Sequence, residues 1–149
     1  MKLLLTFLLF SSFLFGQNNS QETMLVYPKC EKFIIDGNES LQSCFLGKFI
    51  EEMGQESLFI LSSKKIAYTD IRAEMKFVID ENGNFTSLEF IGNEFNKELI
   101  KDSFDMYLNK YNKKKKKIVP AKDANGNPIS KSFYIPYVLK KDLPTYRVY

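Results

Sequence analysis

The most regular alternation of apolar and polar residues in the chain lies at residues 71–79. Every second position there is apolar and most of the others are charged, and this period of two predicts a β-strand with one buried face. Asp-Glu-Asn-Gly-Asn follows at residues 80–84, and Asn-Gly is a favoured pair in tight hairpin turns. Residues 85–91 return as a second strand, so the sequence predicts a β-hairpin.

Apolar residues at helical spacing predict one helix before this hairpin and one after it. The first helix follows possible capping residues at 36–40 and is predicted to end near Gly54, because glycine commonly stops helices. The second is predicted from about Glu94 to Tyr111. The apolar stripes are Leu41, Phe45, Phe49, Ile50 and Met53 in the first helix, and Phe95, Leu99, Ile100, Phe104, Tyr107, Leu108 and Tyr111 in the second. The short apolar run at residues 58–61 does not decide between helix and strand.

A last strand is predicted from about Ile129 to Leu139, after a turn-rich stretch at residues 123–128. Pro136 lies inside this strand and has no N–H to donate, which places the strand at a sheet edge or the proline at a bulge. Two helices and three main strands predict an α+β fold. The expected architecture is a two-layer sandwich of a small, mainly antiparallel three-stranded sheet and two helices.

The chain begins with Lys2 and an uncharged apolar run of about 14 residues, which is too short to cross a bilayer as a helix, since that needs roughly 20. This pattern is typical of a secretory signal peptide cleaved after Gly16 or Gln17; the alternative is an uncleaved anchor. The chain is therefore expected in the periplasm, with no integral membrane segment after cleavage. The predicted organisation is a signal peptide at 1–17, a flexible leader at 18–26, a folded domain at 27–140 and a tail at 141–149.

The chain contains two cysteines, Cys30 and Cys44, and no histidine. In an exported chain an even cysteine count favours a disulfide, and closing a loop of about 15 residues would stabilise the fold by roughly 3 kcal/mol. The alternative is a metal site or a reactive thiol, but two cysteines without histidine leave a zinc site short of its usual ligands. No metal is expected.

The residue pattern argues against catalysis. Histidine, the commonest general base, is absent, and no Gly-x-Ser-x-Gly motif or phosphate-binding glycine loop is present. The chain is expected not to be an enzyme and to need no cofactor.

The net charge of +3 is too small to imply a nucleic-acid partner. The lysine run at residues 113–117 could attract an anionic lipid surface, a polysaccharide or nucleic acid. A solvated loop between helix and strand is the favoured interpretation, and no nucleic-acid partner is expected.

Three groups of residues resemble the TonB C-terminal domain, as it occurs in many Bacteroidetes proteins. They are Tyr27-Pro28-Lys29-Cys30-Glu31 with Cys44-Phe45, then Phe77 to Gly83, and finally Ile118-Val119-Pro120-Ala121 with Gly126, Pro128-Ile129 and Ile135-Pro136-Tyr137. The resemblance implies the same α+β fold in a stand-alone exported form. It departs from the family at residues 58–69, which lack the usual tyrosine-proline element, and at Ile118, where an aromatic is expected. A membrane helix and a proline-rich spacer, which TonB carries, are not expected here. The resemblance therefore supports the fold better than it supports a role in energy transduction.

In TonB this domain takes up an extended peptide of an outer-membrane receptor alongside its last strand. The resemblance therefore implies a binding module for an envelope protein or peptide, for example a TonB-dependent receptor, that works by strand addition. Lys131, Phe133, Tyr134 and Tyr137 are the predicted partner-binding residues, although Phe133 and Tyr137 could belong to the core. The alternative is an accessory envelope protein that forms a homodimer or whose residues 142–149 cover the edge.

Overall fold

The computed structural model describes residues 21–141. The predicted signal peptide at residues 1–17 and the tail from residue 142 onward lie outside the described residues.

The described chain forms an α+β fold, as the sequence predicted. The elements are a 3-10 helix Glu31–Asp36, α1 Asn38–Ser63, β1 Ile71–Ile79, β2 Phe85–Ile91, α2 Glu94–Lys113, β3 Ala121–Lys122, β4 Pro128–Ile129 and β5 Lys131–Leu139. A three-stranded antiparallel sheet has the order β2-β1-β5, and β3 and β4 form a separate small hairpin. The predicted ends of β1 and β2 agree with the observed strands.

The sheet has one buried face and one exposed face. Alternate residues of β1 and β5 are buried beneath the helices, and these are Ile71, Ala73, Met75, Phe77 and Ile79 in β1 and Ile135, Tyr137 and Leu139 in β5. The residues between them, such as Arg72, Lys76, Tyr134 and Pro136, are exposed on the opposite face. The period of two in the sequence thus corresponds to a two-layer arrangement.

The first helix is longer than predicted. α1 continues through Gly54 to Ser63, and residues 58–61 form its last turns. Ile60 and Leu61 are 6% and 2% exposed, and the burial of two such side chains outweighs the roughly 1 kcal/mol that a glycine costs inside a helix. The expectation that the helix stops at Gly54 was therefore wrong, because helix packing and not local propensity decides its length.

Part of the predicted leader belongs to the folded unit. The backbone of Thr23 pairs with Lys122 and that of Val26 with Val119, and Leu25 is fully buried. The side chain of Asn38, at the start of α1, also binds this segment, since it accepts a hydrogen bond from the amide of residue 24 at 2.7 Å. Long-range contacts hold residues 23–26, and these contacts have no signature in the local sequence.

Aromatic rings form the centre of the core. Phe49 lies between the helices and the sheet, with ring centroids 5.2 Å from Tyr107 and 5.3 Å from Phe77. Phe95 was predicted to join the stripe of α2, but it is 43% exposed. Its neighbour Asn96 takes the inward position and donates a hydrogen bond to a carbonyl of β1 at 2.8 Å.

The two loops with the sequence Asp-x-Asn-Gly-Asn fold in the same way. In each, the aspartate Oδ1 accepts hydrogen bonds from the amides two and four residues later, at 2.9 and 2.8 Å for Asp80 and at 2.8 Å in both cases for Asp123. The glycines have positive φ angles of 78° at Gly83 and 85° at Gly126. Only Gly83 is crowded: a Cβ there would overlap the carbonyl oxygen of Ile118, whereas Gly126 faces open space.

The predicted disulfide is confirmed. Cys30 and Cys44 are bonded, with their Cα atoms 5.9 Å apart. Cys30 is fully buried, and the bond joins the turn before the 3-10 helix to α1. The disulfide therefore fixes the N-terminal segment against the helical layer.

Candidate functional site

The strand β5 forms one edge of the three-stranded sheet. It pairs with β1 along its whole length, from Lys131 opposite Ile79 to Leu139 opposite Ile71. No strand among residues 21–141 pairs with its other side. Of the two alternatives that Pro136 implied, an edge strand or a bulge, the described residues show the edge strand, with no break in the register at Pro136.

Pro136 indicates which amides of β5 face the open side. It lies opposite Glu74 without interrupting the register, and it has no N–H to donate to β1. In a strand the N–H and C=O of alternate residues point to opposite sides. We infer that position 136 is directed away from β1, and with it the amides of Ser132, Tyr134 and Val138. The unpaired edge of β5 then has amide donors both before and after Pro136, and one donor is missing at Pro136 itself.

Two of the four predicted binding residues lie in the core layer. Tyr137 is 1% exposed and donates a hydrogen bond to the hydroxyl of Ser57 at 3.0 Å. Phe133 is half-buried, with its ring centroid 4.9 Å from that of Phe45 and 5.5 Å from that of Phe77. Both side chains hold β5 on the helical layer, and only their backbones lie at the edge.

The other two candidates are at the surface. Tyr134 is 56% exposed on the outer face, where its hydroxyl is hydrogen-bonded to Glu74 and this bond raises the pKa of the tyrosine. Lys131 is half-buried and forms an ion pair with Glu22. Tyr134 is therefore the predicted residue whose side chain is best placed to contact a partner at this edge.

An open hollow of about 350 Å³ adjoins Tyr134 on the outer face. Its lining residues come from all three strands and are Lys76, Phe77, Val78, Ser87, Ser132, Phe133 and Tyr134. A shift in the pairing of β1 with β2 between Lys76 and Val78, together with the positive φ of 52° at Ser87, marks a bulge there. The hollow could accept a side chain of a segment lying along β5.

A polar network that sequence analysis missed joins α1, α2 and the N-terminal segment. The hydroxyl of Tyr27 donates to Glu52 at 3.0 Å and lies 2.9 Å from the hydroxyl of Tyr107. Lys114 donates to the same carboxylate at 2.8 Å. Burial raises the pKa of both tyrosines, so the phenols stay protonated and act as hydrogen-bonding groups of the fold.

An ion pair between α1 and α2 lies one helical turn away from the Glu52–Lys114 pair. Glu56 is 4% exposed and accepts a hydrogen bond from Lys110 at 2.5 Å. Its other carboxylate oxygen has no hydrogen-bond partner among the described residues. Glu52 and Glu56 lie four residues apart on one face of α1, and Lys110 and Lys114 are four residues apart at the C-terminal end of α2. This spacing groups each pair of like charges, but the packing of the helices decides that the two groups meet.

The lysine run is partly anchored and not only a solvated loop. Besides Lys114, Lys116 forms an ion pair with Glu31 at 3.0 Å. Lys117 donates to the carbonyl of Tyr111 at 2.9 Å and lies over that ring. The run is therefore held beside the 3-10 helix.

Within residues 21–141, no group of three or more histidine, cysteine, aspartate or glutamate side chains is arranged to hold a metal ion. No helix in the same part of the chain is both long and apolar enough to cross a membrane. The chain matches no family model, no curated protein and no solved structure.

Proposed function

We propose that this chain is a periplasmic, non-enzymatic binding module that takes up an extended segment of an envelope protein along the open side of β5. The observation that carries the proposal is the edge itself, a strand of nine residues that is paired on one side only within the described chain. Main-chain groups on such an edge can bind an added strand, and side chains at alternate positions provide selectivity.

The backbone of β5 limits how much of a partner can pair. Pro136 leaves a gap in the row of donors, so an added strand would form its most regular ladder beside residues 131–135. Tyr134 lies within that stretch and is exposed. The adjoining hollow could take one side chain of the partner. A short segment with an apolar residue opposite Tyr134 is the expected ligand.

The resemblance of the sequence to the TonB C-terminal domain supports the same mode of binding. The pairing of the last strand with the central strand of the sheet is compatible with it. By this proposal the partner is an outer-membrane or other envelope protein, such as a TonB-dependent receptor.

The test compares two substitutions at one position. Tyr134→Ala removes the side chain and keeps the amide, whereas Tyr134→Pro removes both the side chain and the amide donor. Because position 134 is directed to the open side, both variants should fold, which circular dichroism and thermal melts would check. The chain and its two variants are then used to capture proteins from detergent-solubilised envelopes.

Strand addition predicts that one envelope protein is recovered well by the original chain, less by Tyr134→Ala and least by Tyr134→Pro. A synthetic peptide from the captured protein should then show the same order of affinity by calorimetry. If all three proteins capture the same material equally, or nothing above background, the edge is not a binding site.

Pro136 also favours a second candidate, an accessory protein whose edge is kept from pairing. Proline on an edge strand protects against unwanted strand addition. Pro136→Val restores the missing donor, and strand addition predicts tighter peptide binding by this variant. A protein with a covered edge predicts unchanged behaviour, and one that self-associates predicts a stronger dimer in sedimentation velocity.

A further inference from the structure

We propose that the 3-10 helix Glu31–Asp36 and the neighbouring lysines form a docking surface for an anionic lipid bilayer, with Ile34 and Ile35 entering the interface. The proposal concerns a different part of the molecule from β5 and does not depend on strand addition. It uses residues that neither the core nor the proposed peptide site requires.

The apolar part of this surface is two adjacent isoleucines. Ile35 is 91% exposed and Ile34 is 55% exposed, which makes Ile35 the most exposed large apolar residue among those described. Exposed apolar residues are common singly, but here two consecutive residues of one short helix are both exposed. Phe33 beside them is half-buried and packs against the core.

The helix that carries these isoleucines has a rigid base. The amide of Phe33 donates to the carbonyl of Cys30 at 3.0 Å, and the amide of Cys30 donates to the carbonyl of Tyr27 at 2.9 Å. The disulfide from Cys30 to Cys44 ties the same turn to α1. The two isoleucines are thus held at the surface by the fold.

Lysines surround the helix on more than one side. Lys29, Lys32 and Lys48 line a cleft of about 570 Å³ beside the disulfide. On another side, the ion pair of Lys116 with Glu31 at 3.0 Å brings the lysine run next to the helix. Residues far apart in sequence therefore contribute to one basic surface around an apolar tip.

Carboxylates neutralise part of this charge. Glu51 pairs with Lys48 at 3.4 Å, and Glu31 pairs with Lys116. Within residues 21–141, Lys29, Lys32, Lys113, Lys115 and Lys117 form no ion pair, and Asp36 is the carboxylate of the 3-10 helix that forms none. The free cations outnumber the free carboxylate, so the surface remains basic.

This combination fits a lipid surface better than a soluble polyanion. A polysaccharide or a nucleic acid would use the lysines but leave the isoleucines in water. A bilayer with anionic headgroups accepts both, because apolar side chains enter the boundary between headgroups and acyl chains while lysines remain at the headgroup level. The structure therefore favours a lipid surface as the occupant.

The test uses the absence of tryptophan from the chain. Ile35→Trp introduces a single tryptophan at the proposed insertion point, and its emission is recorded with excitation that avoids the tyrosines. Phe59→Trp and Tyr134→Trp introduce one at exposed control positions, 59% and 56% exposed in the original chain. Each intact chain is mixed with phosphatidylglycerol vesicles or with phosphatidylcholine vesicles, both containing brominated acyl chains. All three proteins share the same N-terminal segment, so any attachment to vesicles through that segment affects them equally. A difference in quenching between the three positions therefore reports how deeply each position enters the bilayer.

The proposal predicts blue-shifted and strongly quenched emission at position 35 with phosphatidylglycerol, and at least several-fold weaker quenching at positions 59 and 134. Lys32→Gln in the Ile35→Trp background should weaken partitioning roughly fivefold, as expected for one basic residue at an anionic surface. Raising the salt concentration should weaken it further.

Three results would overturn the proposal. The first is equal quenching at all three positions, and the second is no response to phosphatidylglycerol at position 35. The third is emission at position 35 that is already blue-shifted without lipid, which would show that another part of the chain or a second protein molecule covers the helix.

Discussion

Replacing Phe49 with alanine should remove the central ring of the core and strongly destabilise the fold. Phe49 is fully buried. Its ring centroid lies between 5.2 and 6.1 Å from those of five other rings, which are Phe45, Phe77, Phe85, Phe104 and Tyr107. These rings come from both helices and from β1 and β2, so no single element can move to fill the space.

The expected loss is about 4 kcal/mol in the free energy of unfolding, since truncation of a buried phenylalanine to alanine costs about 3–5 kcal/mol. For a domain of this size each kcal/mol lowers the melting temperature by about 3–5 °C. Phe59→Ala is the matched control, because it makes the same chemical change in the same helix at a side chain that is 59% exposed. It should change stability by no more than about 0.5 kcal/mol.

Urea denaturation followed by circular dichroism measures both values under identical conditions. If Phe49→Ala is too unstable to purify, Phe49→Leu keeps most of the volume and should lose clearly less. Losses of similar size in Phe49→Ala and Phe59→Ala would refute the packing of α1 on the sheet described here, because that packing is what distinguishes the two positions.

Three further predictions concern covalent, backbone and pH effects. Replacing Cys30 and Cys44 together by alanine should lower the free energy of unfolding by about 3 kcal/mol, and dithiothreitol should destabilise the original chain but not this variant. Gly126→Ala should cost about 1–2 kcal/mol because of its positive φ, and Gly83→Ala should cost about 1–3 kcal/mol more because its Cβ would overlap a backbone carbonyl; equal losses in urea melts would contradict the close contact. Hydrogen bonds from backbone amides lower the pKa of Asp80 in the folded state, so its contribution to stability is complete above the ordinary aspartate pKa and is lost as the pH falls through the folded value. The free energy of unfolding of Asp80→Asn should accordingly change less with pH than that of the original chain in this acidic range. The same pH dependence in both proteins would contradict the role assigned to the carboxylate.

The local elements were predictable where one signal dominated. Strict alternation identified β1, and Asn-Gly identified the turn that leads into β2. Prediction failed where distant contacts override a local signal: Gly54 suggested a helix end, yet the burial of Ile60 and Leu61 extends α1. Residues 23–26 joined the fold for a similar reason, because their backbone partners lie about a hundred residues later in the chain.

For the candidate site, the chemistry of one residue reduced the possibilities for the last strand to two. Proline lacks an amide proton wherever it is placed, so Pro136 by itself implied an edge or a bulge. The alternation of side chains likewise placed Tyr134 on the face opposite Phe133 and Tyr137. It did not indicate that Tyr134 would contact Glu74 or adjoin a hollow, since both depend on the register between strands.

The sequence by itself determined the fold class, the principal hairpin and the disulfide partners, because each follows from the period of side chains or from the covalent chemistry of single residues. For the last strand it left an edge or a bulge, and the strand order decided the edge. Only the tertiary structure decided which polar side chains meet. Lys116 and Glu31 are 85 residues apart, and Tyr27 meets Tyr107 across 80 residues. Such pairs exist because packing of the apolar faces brings α2 and the residues after it next to the N-terminal segment. The local sequence around each residue does not indicate that the two regions are close in space.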